Sequence, residues 1–263
     1  MISFMSLSSG SCGNCYFLSD GTDGILIDAG VSLRRLKKLL AAEGLSYDSF
    51  SSVLVTHDHM DHIRCLHSYC EKLSKPVYAT PVLHQAMATR TMRSEALAAC
   101  RRNLTKGWNA IGPFSVKYFV VPHDASQTVG YAIKVDGHKF LIMTDIGRMT
   151  EEALELASQA DTVVIESNYD MDMLMAGPYT HELKMRICQG NGHLSNDECA
   201  EAITRFWHPG LRNIFLCHLS ENNNTPSKAL TRSQQALSEL GVPSGTVNLR
   251  PLPRRQPSPM MIL

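Results

Sequence analysis

The segment VLVTHDHMDHI, residues 53–63, sets four ligand-type side chains, His57, His59, Asp61 and His62, within six positions directly after an apolar strand. Two alternating histidines in an extended loop can point at one ion, while Asp61 and His62, at the start of the following helix, can point at a second. Neutral imidazoles and carboxylates are the donors a Zn2+-like ion accepts, at about 2.0–2.2 Å. Further candidates stand at the C-terminal ends of apolar strands: His123 after residues 118–121, Asp145 after residues 140–143 and His218 after residues 214–217. Strands feeding one edge of a sheet make such distant residues neighbours, and that edge is where open α/β sheets place their ligands. His67, His84, His138, His181 and His208 lack this context and read as surface or internally bonded residues.

The surrounding pattern is that of an α/β chain. Short strands are expected at residues 2–7, 15–18 and 25–27, and Ser32 can cap a helix with Leu33, Leu36 and Leu40 on one face and Gly44 closing it. The chain then predicts a strand at residues 53–55, one helix over about residues 61–73, a strand at 77–79 and a helix opened by Thr80-Pro81. Residues 114–121 and 131–143 read as a strand meander with Asp136-Gly137 as its hairpin turn. Thr150 caps a helix, residues 162–166 form a buried strand, and Ser195-Asn196-Asp197-Glu198 is a capping box. Residues 213–217 form another strand, and Thr225-Pro226 starts a last helix that Gly241 stops. Early strands, a middle meander and a second β/α run predict an α/β fold of two mixed β-sheets with helices outside, a four-layer αββα sandwich. Residues 1–250 are expected to form one domain, and residues 251–263, with prolines at 251, 253, 257 and 259, a disordered tail.

No apolar run reaches the roughly 18 residues of a membrane helix and the first residues lack the basic start of a secretory signal, which points to a cytoplasmic protein with no membrane partner. The 8 cysteines lack the density of a disulfide scaffold and are expected to be reduced. With 25 basic and 25 acidic residues the formal net charge is +0, so a polyanion would have to be held by local charge. Arg90, Arg93, Arg101, Arg102 and Lys106 are candidates for such a basic strip, with a solvated helix face as the alternative. Nothing in the sequence speaks to oligomeric state.

The order His57-x-His59-x-Asp61-His62, then His123, Asp145 and His218, resembles the metallo-β-lactamase superfamily over about residues 1–250. The resemblance implies the αββα fold and two divalent metal ions. His57, His59 and His123 would hold one, Asp61, His62 and His218 the other, and Asp145 would bridge them. The nitrogen and oxygen donors put Zn2+ first, and the same ligands accept Mn2+ or Fe2+. Asp28, in Ile27-Asp28-Ala29-Gly30, matches the superfamily's aspartate that supports the metal loop from behind the ligands. Common β-lactamases have cysteine in place of Asp145, and flavodiiron proteins have glutamate in place of His59, so neither activity fits. Glu166, in Glu166-Ser167-Asn168-Tyr169, and His193, in Gly192-His193-Leu194-Ser195, resemble the Glu and His-x-Ser/Thr elements of nucleases such as tRNase Z and RNase J. Ser9-Gly10-Ser11-Cys12-Gly13-Asn14, with ESNYD and GHLSN, narrows the resemblance to the YycJ (WalJ)-like subgroup of phosphodiesterases and exonucleases. The β-CASP insert of RNase J and the long arm of tRNase Z have no counterpart.

The resemblance implies a metal-dependent phosphodiesterase or nuclease, with DNA ahead of RNA and a 5′-to-3′ DNA exonuclease as its specific form. A metal-bridging hydroxide would attack phosphorus, oriented by Asp61. His193, oriented by Glu166, would serve the leaving oxygen. A small phosphodiester is the competing substrate. A thioester or lactone hydrolase of glyoxalase II type can share the metal ligands, but Glu166 and the His193-Leu194-Ser195 element speak against it. A non-catalytic regulatory module would be expected to have lost ligands, and none is missing.

The opening loop also contains Cys12-Gly13-Asn14-Cys15, a C-x-x-C. A redox pair of this spacing opens a helix and a structural zinc needs further ligands, whereas strands flank this pair and no second C-x-x-C follows. The loop is read as a tight turn in which Ser9, Ser11 and Asn14 position a substrate phosphate, the cysteines being incidental.

Overall fold

The computed structural model describes residues 1–90 and 95–263, with Arg90 described by its backbone alone. The first sheet starts with β1 (Ser3–Ser8), β2 (Cys15–Ser19) and β3 (Gly24–Ile27), paired antiparallel in chain order. Every residue of β2 and β3 is buried, as befits strands covered on both faces. From β3 onward the strands β4 (Ser52–Leu54), β5 (Val77–Ala79) and β6 (Arg101–Asn103) add in parallel. Parallel neighbours need crossovers, and helices supply them: α1 (Leu33–Ala42), then α2 (Met60–Ile63) with α3 (Leu66–Leu73), then α4 (Pro81–Arg90) with α5 (Glu95–Cys100).

The second sheet repeats this plan. β7 (Asn109–Ile111), β8 (Phe114–Val121), β9 (Thr128–Val135) and β10 (His138–Met143) form an antiparallel meander. Asp136 and Gly137, with φ of 47° and 77°, make the tight turn between β9 and β10. β11 (Thr162–Glu166), β12 (Asn213–Cys217) and β13 (Asn248–Pro251) then add in parallel. The intervening helices are α6 (Glu151–Ala157), α7 (Met171–Ala176), α8 (His181–Cys188), α9 (Asn196–Phe206) and α10 (Pro226–Glu239). The capping box of Ser195 and Glu198 starts α9, and Thr225 caps α10 with Pro226 in its first turn.

The inner faces meet through aromatic rings: Phe4 on β1 lies 5.2 Å from Phe140 and 5.5 Å from Phe215, ring centre to ring centre. Across the same interface Tyr131 Oη donates to Val55 O at 2.6 Å. Leu36, Leu40, Leu66 and Tyr69 cover the first sheet from outside, and Leu154, Ile203, Phe206 and Leu237 cover the second. The result is the αββα sandwich of two mixed sheets that the element order predicts. No helix among the described residues is long and apolar enough to cross a membrane.

Two segments differ from expectation. The single helix over residues 61–73 is broken into α2 and α3. A continuous helix would give the carbonyls of Asp61 and His62 to the amides four residues on. Those carbonyls instead accept from Asn14 N at 2.8 Å and Ala29 N at 2.7 Å, and Cys65 N turns to Ala29 O at 3.1 Å. The tail expected to be disordered is ordered: Ser258 N donates to Ser6 O at 2.8 Å, Ser6 N donates to Ser258 Oγ at 2.9 Å, and β14 (Met261–Ile262) pairs antiparallel with β1. Without it β1 would be an edge strand with an unpaired row of backbone groups. Prolines between the anchoring residues remove donors but leave these bonds intact.

Met261 is buried against the first core, so Met261→Ala is expected to lower unfolding free energy by about 2–3 kcal/mol in urea denaturation. A change under roughly 0.5 kcal/mol, the scale of an ordinary surface substitution, would show that the tail is not part of the packed structure.

Candidate metal centre

Three strands of the sandwich end in non-glycine residues with left-handed backbone: Asp28 after β3 (φ 64°), Asp145 after β10 (φ 51°) and His218 after β12 (φ 53°). This conformation costs on the order of 1 kcal/mol or more and persists where surrounding contacts over-determine it. It turns these residues toward the edge where His57 follows β4 and His123 follows β8. There, His57, His59 and His123 offer atoms within 4.8 Å of one another; so do His57, His62 and Asp145, and likewise Asp61, His62 and His218. All seven ligands expected from the sequence fall in these overlapping groups. A further group joins Asp145 and His218 to Glu166 and His193.

The donor atoms fit a cation. His57 Nε2, His123 Nε2, His218 Nε2 and Asp145 Oδ2 are buried without a hydrogen-bond partner among the described residues. Leaving such an atom unsatisfied costs about 1–3 kcal/mol. Four of them converging from separate segments is the pattern of a metal site and not of a hydrogen-bonded core.

The opposite nitrogens are pinned. Asp28, fully buried, accepts from Thr56 N and Thr56 Oγ1, both at 2.8 Å, and from His62 Nδ1 at 2.6 Å. Thr56 Oγ1, its proton given to Asp28, can accept from His57 Nδ1 at 3.1 Å. One carboxylate is thus bonded, directly or through Thr56, to both imidazoles. His123 Nδ1 donates to Gly192 O at 2.7 Å, and His218 Nδ1 to Glu166 Oε1 at 2.9 Å. An imidazole that donates from Nδ1 presents the Nε2 lone pair to a metal. Glu166 Oε1 also lies 2.8 Å from His193 Nδ1, while Oε2 accepts from Ile146 N and Leu194 N at 3.0 and 3.1 Å. Glu166 thus holds His218 as well as the His193 that the sequence paired it with.

Burial, reinforced by the His62 imidazole, holds His57 well below the usual histidine range, and burial lowers His123 too. Burial opposes charge on Asp145, but His218 and His62 hold its carboxyl well below the usual carboxylate range. At His62 burial is overcome by Asp28 and Asp145, which carry its pKa up to about 10. At His218 burial is overcome by Asp145 and by the Glu166 carboxylate it is bonded to, and the pKa lies well above the usual value. A cation at these two imidazoles competes with protons, so acid weakens its binding.

The opening loop departs from its expected role. Ser9 is buried, its Oγ 2.9 Å from Tyr16 Oη and accepting from His218 N at 2.9 Å. Asn14 is buried too: Nδ2 reaches Asp61 Oδ2 at 3.1 Å and His62 Nε2 at 2.8 Å, and Oδ1 accepts from Gly10 N at 2.8 Å. Both residues face the candidate ligands, and their polar atoms are already committed inside the protein. Only Ser11 of the three lines the cavity over the centre. Glycine is required opposite: a Cβ on Gly30 would come 1.8 Å from Asp61 O. Cys15 is buried and burial pushes its thiol up, Cys12 is exposed, and both are free thiols, which suits the incidental reading of the C-x-x-C.

The cavity measures about 310 Å3 and is lined by Asp61, His193, Tyr179, Arg186 and Ser220 among others. Arg101 and Arg102 lie on β6, an exposed edge strand and not a helix face, and neither they nor Lys106 line it. Arg93 lies outside the described residues, as does the side chain of Arg90. Three residues were not singled out from sequence. Asp58 accepts from Ser126 N at 3.1 Å and Ser126 Oγ at 2.7 Å, tying the histidine loop to the loop after His123. Asp124 stands 3.3 Å from His123 Nε2 and accepts from Arg186 Nε at 2.6 Å. Asp58 carries a signal in sequence, a carboxylate inside the histidine run; Asp124 and Arg186 become partners only through the fold. His84, His138 and His208 bond internally, as anticipated.

Asp28→Asn should keep the fold but lower Zn2+ affinity about 10–100-fold in competition with a fluorescent chelator. Unchanged affinity would show that Asp28 does not orient the ligands.

The family model described as "Beta-lactamase superfamily domain" matches residues 24–214. The chain is 32% identical over 239 residues to "Exodeoxyribonuclease WalJ" of Streptococcus pneumoniae serotype 2 (strain D39), covering 90% of this chain and 89% of that one. It is 31% identical over 239 residues to "Exodeoxyribonuclease YycJ" of Bacillus anthracis, covering 90% of each. Among solved structures, the metallo-β-lactamase fold protein YhfI from Bacillus subtilis matches with a TM-score of 0.70 at 14% identity, over 98% of this chain and 99% of that one. The strand-end ligands, the sandwich that gathers them and these matches agree: the chain belongs to the metallo-β-lactamase superfamily.

Proposed function

We propose that the protein is a metal-dependent phosphodiesterase of nuclease type, acting on DNA ahead of RNA and removing nucleotides from a 5′ end. The observation that carries this reading is the buried Glu166 carboxylate joined to His193 at 2.8 Å beside the ligand cluster. The exodeoxyribonuclease names of the two relatives support it. His57, His59 and His123 would hold one divalent ion, Asp61, His62 and His218 a second, and Asp145 would stand between them. Zn2+ is the first choice for this donor set. Such ions, when bound, acidify water and neutralise charge on a phosphate.

The remaining chemistry belongs to the chain. His193 Nδ1 is engaged by Glu166, so Nε2 is the ring atom free to meet the leaving oxygen. Burial opposes a charge on this ring, but the Glu166 carboxylate raises its pKa above the ordinary histidine value. A raised pKa favours the protonated imidazole, which can supply the proton an alkoxide leaving group needs. Asp61, partly exposed in the cavity and anchored by Asn14, is placed to orient an attacking water.

With end-labelled single- and double-stranded DNA and RNA and added Zn2+ or Mn2+, the wild type should release nucleotides from a 5′ end of DNA. His57→Ala or chelation should abolish this. Hydrolysis of a small diester or a glutathione thioester with no nucleic acid product would refute the nuclease reading. His193→Ala should retain metal and lower the rate on DNA about 10²–10⁴-fold. Its effect on bis-p-nitrophenyl phosphate should be much smaller, since that leaving group needs no proton. A full rate on DNA would remove His193 from the mechanism.

A further inference from the structure

The ordered tail brings arginines to the opening loop beside the cavity. Arg254 O accepts from Ser9 N and from Ser8 Oγ, both at 3.0 Å, while Arg254 Nη1 donates to Ser220 O at 2.6 Å. Ser220 and Ser11 line the cavity together with His218. Arg35, on α1, donates to Arg255 O and to Leu7 O, the latter at 3.5 Å. Arg64, just after α2, donates from Nε to Gly30 O at 3.0 Å and from Nη2 to Cys12 O.

These guanidinium groups meet carbonyl oxygens, not carboxylates. The arginine ion pairs among the described residues involve Arg186, Arg205, Arg232 and Arg255 instead. Arg255 pairs with Glu221 at 2.8 Å, but the two side chains are 61% and 52% exposed, so the pair is solvent-screened and easily exchanged. Each guanidinium has five N–H donors, more than these carbonyls use. Arg254 thus sits behind the cavity-lining Ser220, Arg64 next to the cavity-lining Ser11, and Arg255 and Arg35 beyond them, so four arginines gather on one side of the cavity without lining it, on a chain whose net charge is +0.

A small diester seated at the candidate ligands has no second phosphate to offer these arginines. A polynucleotide does, because further phosphates flank the one being cleaved. We propose that Arg35, Arg64, Arg254 and Arg255 form a track for the phosphate backbone of a polynucleotide leading away from the metal centre, and that the tail builds it. The proposal rests on the nuclease reading and adds where the polymer lies.

The test uses Arg254→Gln and the double variant Arg254→Gln/Arg255→Gln in the full chain. The tail is held to Ser8 and Ser9 through the Arg254 carbonyl, which these substitutions keep. Substrates are a single-stranded DNA oligonucleotide and bis-p-nitrophenyl phosphate, and Arg101→Gln/Arg102→Gln serves as the comparison on β6. The double variant should raise KM for DNA roughly tenfold and flatten the salt dependence of DNA affinity by about 0.7 per lost phosphate contact. Its kcat/KM on the small diester should stay within about twofold of wild type, since Coulombic contacts beyond the reacting phosphate do not act there.

An unchanged KM and salt slope for DNA overturns the track while leaving the nuclease reading intact. The same is true if the β6 variant alone weakens DNA binding. Equal losses on both substrates assign the arginines a structural role and overturn the track. A wild type that hydrolyses the small diester but neither binds nor cuts DNA overturns the nuclease reading, and the track with it.

Discussion

The structure depends on holding several imidazoles and carboxylates with their lone pairs turned toward one another in a buried space. Such an arrangement repels itself and forfeits hydration, so it persists only when every donor is braced from behind. The braces are visible: Asp28 through Thr56 and His62, Glu166 through His218 and His193, and Gly192 O through His123. Three left-handed residues at strand ends, Asp28, Asp145 and His218, are the backbone counterpart of the same demand. The stability that supports them comes from the aromatic interface between the sheets, where Phe4, Phe140 and Phe215 meet.

The opening loop is the second organising element. Its Asn14 amide takes the Asp61 carbonyl, the Ala29 amide takes the His62 carbonyl, and the helix that would otherwise run on is interrupted. The break frees Asp61 and His62 to be set by their contacts with Asn14 and Asp28. The C-terminal tail closes over the same loop from the other side, through Arg254 O and the pairing of β14 with β1. Chain start, chain end and metal loop are thus one bonded assembly.

Much of this was legible in sequence. Candidate metal ligands stand out because such residues are rare at the ends of apolar strands, and the seven residues from His57 to His218 do come together. Caps at Ser32, Thr150, Ser195 and Thr225 were readable because a cap is settled within four residues. Ser9 and Asn14 were expected to meet a substrate phosphate, whereas their polar atoms are bonded inside the protein. A short polar side chain in a glycine turn can face either solvent or protein, and only its partners decide which. The tail was misjudged for a related reason: proline content describes the chain in isolation, while the edge of β1 that the tail covers lies more than 240 residues away in sequence.

The sequence by itself determined which atoms can hold a cation and which strands carry them, since both follow from residue type and local pattern. Only the tertiary structure decided what stands behind those atoms and what surrounds the cavity. Glu166 serving two histidines, Asp124 meeting Arg186, and arginines from α1, the end of α2 and the tail bonding carbonyls of other segments are contacts between segments distant in the chain. Such contacts have no local signature, because their energy arises only once the two sheets have packed and water has left the space between them.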